Sequence, residues 1–377
     1  MLRVLLLAVL VLAATEAFAA TGPRQPAFER DELLAGTTFP FAADTSIAIP
    51  SRDDAFGLDA EMLAFVATTA GIRDPHKKLL ALLRGMEQRG LFSLDYDETT
   101  RTARGTFHDR QGNCLSFTML FVALARASGL TATFQSVVVP PTWANDGQVV
   151  IANHVNTLVR TAFNEQTVVD FNIRDYEGPQ KSRKVDDDYA LALYYTNVGA
   201  EALLRNDYPV SAAHFRAAAG VYPGMAGLWV NLGVLYARQG LLEQAESAYL
   251  YALEVDAYAA SALANLAVVY RDLGEAELAA EYHARVQKYR ERNPYYHFAV
   301  ATLAYEQGRL SDALAALRKA LRLKHDESQF HSLRGQVQQD MGRSSDAAQS
   351  FVRAREYLEA ENARTRKRIA FDALAVR

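Results

Sequence analysis

The 377-residue sequence predicts an α+β domain followed by an all-α solenoid, behind an apolar leader. Two observations carry that reading. A fixed 34-residue period runs through residues 192–361, and periods of that size mark stacked repeats. Residues 55–185 do not repeat, and within them helical spacing gives way to strand-like alternation. Composition agrees: half of the residues are apolar, 22% are charged, and 40 Lys+Arg face 44 Asp+Glu for a net charge of -4. That balance excludes a disordered chain, a collagen-like fibre and a polytopic membrane protein. It also lacks the basic excess that phosphate contact demands, so no nucleic-acid partner is expected.

The leader comes first. Met1–Leu2–Arg3 gives a positive start, and Val4 to Ala14 is apolar without a break. That run is too short to span a bilayer of about 30 Å comfortably. Ala17–Phe18–Ala19 supplies the small residues of a cleavage site, so residues 1–19 read as a secretory signal cut after Ala19 or Ala20. The alternative is an uncleaved anchor. No cysteine follows the run, so a lipoprotein anchor is excluded. Later segments never reach about 18 uncharged apolar residues, and no membrane span is expected after cleavage. The chain is expected to be exported, and its alanine-rich composition suggests a bacterial periplasm. Residues 20–54 read as an N-terminal linker.

In the middle region, Asp59 to Gly71 and Pro75 to Gly90 read as helices, with Asp74 as a cap before Pro75. Asp95 to Asn113 is polar and turn-rich. Cys114 then opens an apolar helix in which Leu115, Phe117, Leu120, Phe121, Leu124 and Ala125 recur at helical spacing, and Gly129 ends it. Thr131 to Val139 alternates like a strand until Pro140–Pro141, and Asn153 to Arg160 and Thr167 to Phe171 follow as strands. One buried helix followed by an antiparallel sheet is an α+β pattern. The polar Gly178 to Lys184 stretch marks the boundary, and Asp186–Asp187–Asp188 reads as exposed linker rather than a cation site.

Cys114 is the only cysteine. It can form neither an internal disulfide nor a cysteine-based zinc site. At a helix N-terminus, unpaired N–H groups and the helix dipole favour a thiolate. His154 stands in one strand and Asp170 sixteen residues later in the next. A hairpin bringing them together would give the nucleophile, base and orienting carboxylate of covalent acyl transfer. His108, six residues before the cysteine, is a rival base whose loop position favours surface exposure. The eight histidines form no H-E-x-x-H pattern, so no metal is expected. Nor is a cofactor, because G-x-G-x-x-G, a phosphate loop and a G-x-S-x-G elbow are all missing.

These residues resemble the transglutaminase-like branch of the papain-like cysteine enzymes. The resemblance rests on Gly112–Asn113–Cys114–Leu115–Ser116–Phe117 with the helix to Gly129–Leu130, on Asn153–His154–Val155, and on Val168–Val169–Asp170. It implies catalytic roles for Cys114, His154 and Asp170, with Gln111 a weaker candidate for an oxyanion donor. Asn156 departs from the pattern, since the family often has an aromatic residue there. A peptide or amide substrate is implied, and hydrolysis and transamidation both stay open. So does a non-catalytic reading, in which the domain binds a peptide without cleaving it.

Units of the solenoid begin at Ala192, Ala226, Ala260, Pro294 and Ser328. Their eighth positions are Gly199, Gly233, Ala267, Ala301 and Gly335, and their twenty-fourth are Phe215, Tyr249, His283, Leu317 and Phe351. Small residues let two helices cross closely, and the large one fills the gap above. Asn206, Gly240, Gly274, Gly308 and Gly342 can take the left-handed conformation that ends a first helix. The pattern resembles the tetratricopeptide (TPR) repeat, best in the second unit with Trp229, Leu232–Gly233, Tyr236, Ala245 and Ala252. The resemblance implies a concave face for a protein or peptide partner. Asn197, Asn231 and Asn265 recur on the first helices, where consensus packing explains them better than ligand contact. Residues 362–377 read as a helical cap or tail.

Overall fold

The computed structural model describes residues 24–37, 39, 46–89, 99–138, 142–143, 149–150, 153–162, 165–171, 182–365 and 368–370. The predicted leader, Pro140–Pro141 and residues 178–181 lie outside them. The stretch read as linker holds two short helices, α1 (Arg30–Ala35) and α2 (Arg52–Phe56), each closed by a capping box. Next come α3 (Ala60–Ala67) and α4 (Pro75–Gln88), capped by Asp59 and Asp74 through the N–H groups of Met62 and Lys77. The polar 95–113 stretch predicts turns, yet it contains α5 (Ala103–Asp109). Only Ala103, Thr106 and Phe107 of that helix are buried, too few for a periodic signal.

Helix α6 (Cys114–Ala127) is buried nearly all round, as a helix inside a core must be. Strands β1 (Thr131–Val138), β2 (Thr142–Trp143), β3 (Val149–Val150), β4 (Asn153–Ala162), β5 (Glu165–Asp170) and β6 (Ser182–Val185) follow. Ten helices come next: α7 (Asp187–Leu204), α8 (Tyr208–Val221), α9 (Ala226–Arg238), α10 (Leu242–Val255), α11 (Ala260–Asp272), α12 (Ala276–Arg292), α13 (Pro294–Glu306), α14 (Leu310–Leu323), α15 (Ser328–Asp340) and α16 (Ser344–Thr365). Strand β7 (Arg368–Ala370) ends the described chain. The main sheet has the order β6-β1-β4-β5-β7. β1, β4, β5 and β6 pair antiparallel, and β7 joins the β5 edge in parallel. Thus residues 182–184, read as part of a polar boundary, belong to an edge strand, and the C-terminal tail returns to the first sheet.

The solenoid follows its 34-residue register. Asn206, Gly240, Gly274, Gly308 and Gly342 have φ of 60°, 73°, 80°, 71° and 75°, so each first helix ends in the left-handed conformation. A methyl group at Gly233 would stand 2.4 Å from the Tyr249 ring, and one at Gly199 would stand 2.6 Å from the Phe215 ring. Close helix crossing is therefore what those glycines provide. Burying each facing aromatic contributes about 1.5–3 kcal/mol. His283 breaks the pattern and is exposed, while its neighbour Tyr282 is buried in the core. In the last of the five units Phe351 is 36% exposed, where its counterparts Phe215 and Tyr249 are buried between repeats.

The two parts share one core. Leu115, Met119 and Val122 of α6 join Phe134, Val155 and Val185 of the sheet and Tyr189 and Leu193 of α7 in a continuous apolar cluster. The opposite side of α6, with Leu120, Phe121 and Leu124, packs on α3 and α4 through Met62, Phe65, Leu79 and Leu83. The acidic run is not linker. Asp186 caps α7 by accepting from the Tyr189 N–H. Asp187 takes both guanidinium nitrogens of Arg126 at 2.7 and 2.9 Å, and Asp188 pairs with Arg52. Among the described residues no helix is long and apolar enough to cross a membrane.

Candidate active site

The start of α6 is fixed by polar side chains packed beneath it. Asn113 caps it, its Oδ1 accepting from the Ser116 N–H and hydroxyl at 3.0 Å each. The Asn113 Nδ2 donates to Thr100 Oγ1 at 2.7 Å, and the Arg101 N–H donates to Ser116 Oγ at 2.8 Å. A side chain at Gly112 would bring its Cβ within 2.7 Å of the Ser116 Cβ, so only glycine leaves room for this turn. Cys114 follows as the first helical residue, where its N–H has no intrahelical acceptor. It is partly exposed.

The other two residues arrive on a hairpin. β4 pairs β5 with Thr157 opposite Val169 and Leu158 opposite Val168. Continuing that register sets Asn156 across from Asp170, with His154 two residues further along the same face. His154 Nε2 lies 2.8 Å from Asp170 Oδ1, and the imidazole also hydrogen-bonds the Cys114 side chain. With Nε2 engaged by the carboxylate, Nδ1 is the nitrogen left for sulfur. His154 is 2% exposed and Asp170 is fully buried. Burial works against charge on the ring, but the hydrogen bonds to Asp170 and Cys114 and their charges outweigh it, and His154 is pushed up to about 9. The imidazolium is thus the form favoured at neutral pH.

Two polar residues without an assigned part in the sequence reading complete the frame. The Thr118 hydroxyl donates to the Cys114 carbonyl at 2.7 Å and lies 3.2 Å from that of Val155, bridging the nucleophile helix to the histidine strand. Residue type alone does not single out Thr118, because Ser116 in the same helix also carries a hydroxyl. Asn156 Nδ2 donates to Asp170 Oδ2 at 2.9 Å. The position that departs from the family pattern therefore holds the second carboxylate oxygen. Gln111 is exposed on the loop before α6. His108 pairs with Asp59 on the surface at 2.6 Å and is not part of this constellation. The described residues contain no group of His, Cys, Asp and Glu suited to a metal ion.

Comparison with known proteins divides the chain in the same way. The profile of the transglutaminase-like superfamily core matches residues 64–171, and that of the tetratricopeptide repeat matches 199–264 and 264–330. The chain carries a transglutaminase-like core followed by tetratricopeptide repeats. No curated protein matches it by sequence. Solved structures similar to it include a MamA protein (17% identity, 46% of this chain and 94% of that one, TM-score 0.25). They also include YrrB, titled a TPR protein with an unusual peptide-binding site (17%, 44% and 86%, TM-score 0.26). BtubC from P. vanneervenii is a third (19%, 47% and 83%, TM-score 0.26).

Proposed function

We propose that this protein is an exported cysteine-dependent acyl-transfer enzyme whose repeats hold a protein partner. The observation that supports it is the hydrogen-bonded series Cys114, His154 and Asp170 at the start of a buried helix. The imidazolium beside the sulfur stabilises a thiolate, which attacks an amide or peptide carbonyl carbon. As the C–S bond forms and the C–N bond breaks, His154 gives its proton to the leaving amine. Water or a second amine then attacks the thioester, His154 takes its proton, and the thiolate departs. Asp170 keeps the ring oriented throughout. The first N–H groups of α6 face the developing oxyanion in this scheme.

The apolar leader supports export, which N-terminal sequencing of the mature protein checks by a start at Ala20 or Thr21. The chemistry is tested by incubating the purified chain with a peptide pool and a fluorescent primary amine. Label incorporation or new peptide termini, lost in Cys114→Ala and in His154→Ala, is the expected result. Equal turnover by folded Cys114→Ala would contradict it. No turnover by any form, with the peptide pool bound, would leave the scaffold role in its place.

A further inference from the structure

The N-terminal segment Arg24–Gly36 lies on the solenoid, in a groove lined by side chains of α8, α9, α10 and α11 that contact it. We infer that this groove is a peptide-binding site for segments carrying two arginines six residues apart with an aromatic residue between them, and that the chain's own segment occupies it as a displaceable ligand. The inference deepens the partner-holding role proposed for the repeats and does not depend on catalysis.

Two pockets read guanidinium groups. Arg24 Nε lies 2.9 Å from Glu246, a carboxylate with 5% side-chain exposure that also accepts from the Tyr270 hydroxyl at 2.7 Å. Arg24 also pairs with Glu275 and sits over the Tyr270 ring. A buried carboxylate on a repeat helix is costly without a cation, so this position is built for one. Two turns further along α10, roughly 12 Å, Arg30 stacks over Tyr251 and Trp229 at 4.7 and 5.5 Å and pairs with Glu254 at 2.7 Å. Aromatic faces with a carboxylate suit a planar guanidinium better than an ammonium.

Between and beyond the pockets, side chains hold the segment's main chain without regard to its sequence. Ser247 Oγ accepts from the Ala27 and Phe28 N–H groups at 3.0 and 3.3 Å, and the Tyr251 hydroxyl donates to the Phe28 carbonyl at 3.0 Å. Tyr236 donates to the Leu33 carbonyl at 2.7 Å, and Arg216 to that of Leu34 at 2.7 Å. Phe28 and Leu33 add apolar contact. Main-chain hydrogen bonds for affinity and pockets for alternate side chains are how peptide sites work. The occupant to which this chemistry points in trans is a basic–aromatic segment of the partner protein, which must displace the tethered one.

The test uses the full chain and a fluorescent synthetic peptide of residues 24–36. Arg24→Ala/Arg30→Ala weakens the tethered competitor, so the variant should bind the peptide saturably and at least tenfold more tightly than wild type. A peptide with both arginines changed to alanine should bind at least tenfold more weakly. Absence of saturable binding to a variant that melts like wild type overturns the inference, as does equal binding of the alanine peptide. A shift of the variant to dimer that excludes the peptide also overturns it, assigning the groove to a second copy. Should the variant not fold, hydrogen exchange of wild type decides. Excess peptide should speed exchange at the amides of 24–36, and unchanged protection at saturation is the contrary result. Binding is read without turnover, so its failure leaves the acyl-transfer proposal standing.

Discussion

At the scale of single residues, the site is a charged histidine held in a nearly dry setting by hydrogen bonds to its neighbours. His154 moves from an ordinary value of 6.5 to about 9 in the folded chain. A raised value means that the group stabilises the fold below its unfolded value and that this stabilisation is lost as pH rises through the folded one. Wild type should therefore lose on the order of 1–3 kcal/mol between pH 6.5 and 9 that His154→Gln does not lose. Urea unfolding at a series of pH values measures it, and parallel curves would refute the charged resting state. Asn156→Leu deletes a hydrogen bond to a buried carboxylate, which costs about 1.5–3 kcal/mol. Among the described residues the Asn156 Oδ1 has no hydrogen-bond partner, so its loss breaks no further bond. Turnover should fall with stability in this variant, and a neutral result in thermal melts would show that Asp170 needs no such support. At Gly112 even alanine must push Ser116 aside, so Gly112→Ala should slow Cys114 alkylation while Gly71→Ala, where a methyl group meets nothing within 4 Å, should not.

Between residues and whole domains, the repeat units show how glycine spacing sets helix crossing. Gly233→Ala presses a methyl group against the fully packed Tyr249 ring, and the overpacking should cost about 1–3 kcal/mol. Gly240→Ala meets open space and suffers only from its left-handed φ of 73°, so the smaller loss, about 1 kcal/mol, belongs there. Denaturant midpoints of the two variants check the order. These elements were legible in the sequence because one rule repeats five times in register. α6 was legible for a different reason, an apolar run with a polar cap before it. By contrast, α5 buries only a few side chains, and β6 is three-quarters exposed along Ser182–Val185, so neither carries a periodic pattern. Cys114, His154 and Asp170 could be named from residue type and order. Thr118 and Asn156 could not, because their roles lie in hydrogen bonds that only the α6–β4 and β4–β5 packing creates.

For the molecule as a whole, the first solenoid helix is part of the support of the nucleophile helix. Arg126 near the C-terminal end of α6 grips Asp187 at the start of α7, while Glu201 near the other end of α7 accepts from the Thr100 N–H at 2.8 Å. Thr100 in turn receives the Asn113 cap, so α6 and α7 run antiparallel and are tied at both ends. Glu201→Ala should lower the rate at which Cys114 reacts by several-fold, with the solenoid still folded by circular dichroism. An unchanged rate would mean that the cap holds without α7. The central claim is that His154 keeps the Cys114 sulfur reactive, and iodoacetamide alkylation of the full chain against pH tests it most directly. One cysteine gives one mass shift. The account predicts alkylation that persists well below pH 7 in wild type and is lost there in His154→Ala. Identical pH dependence in the two proteins would contradict it.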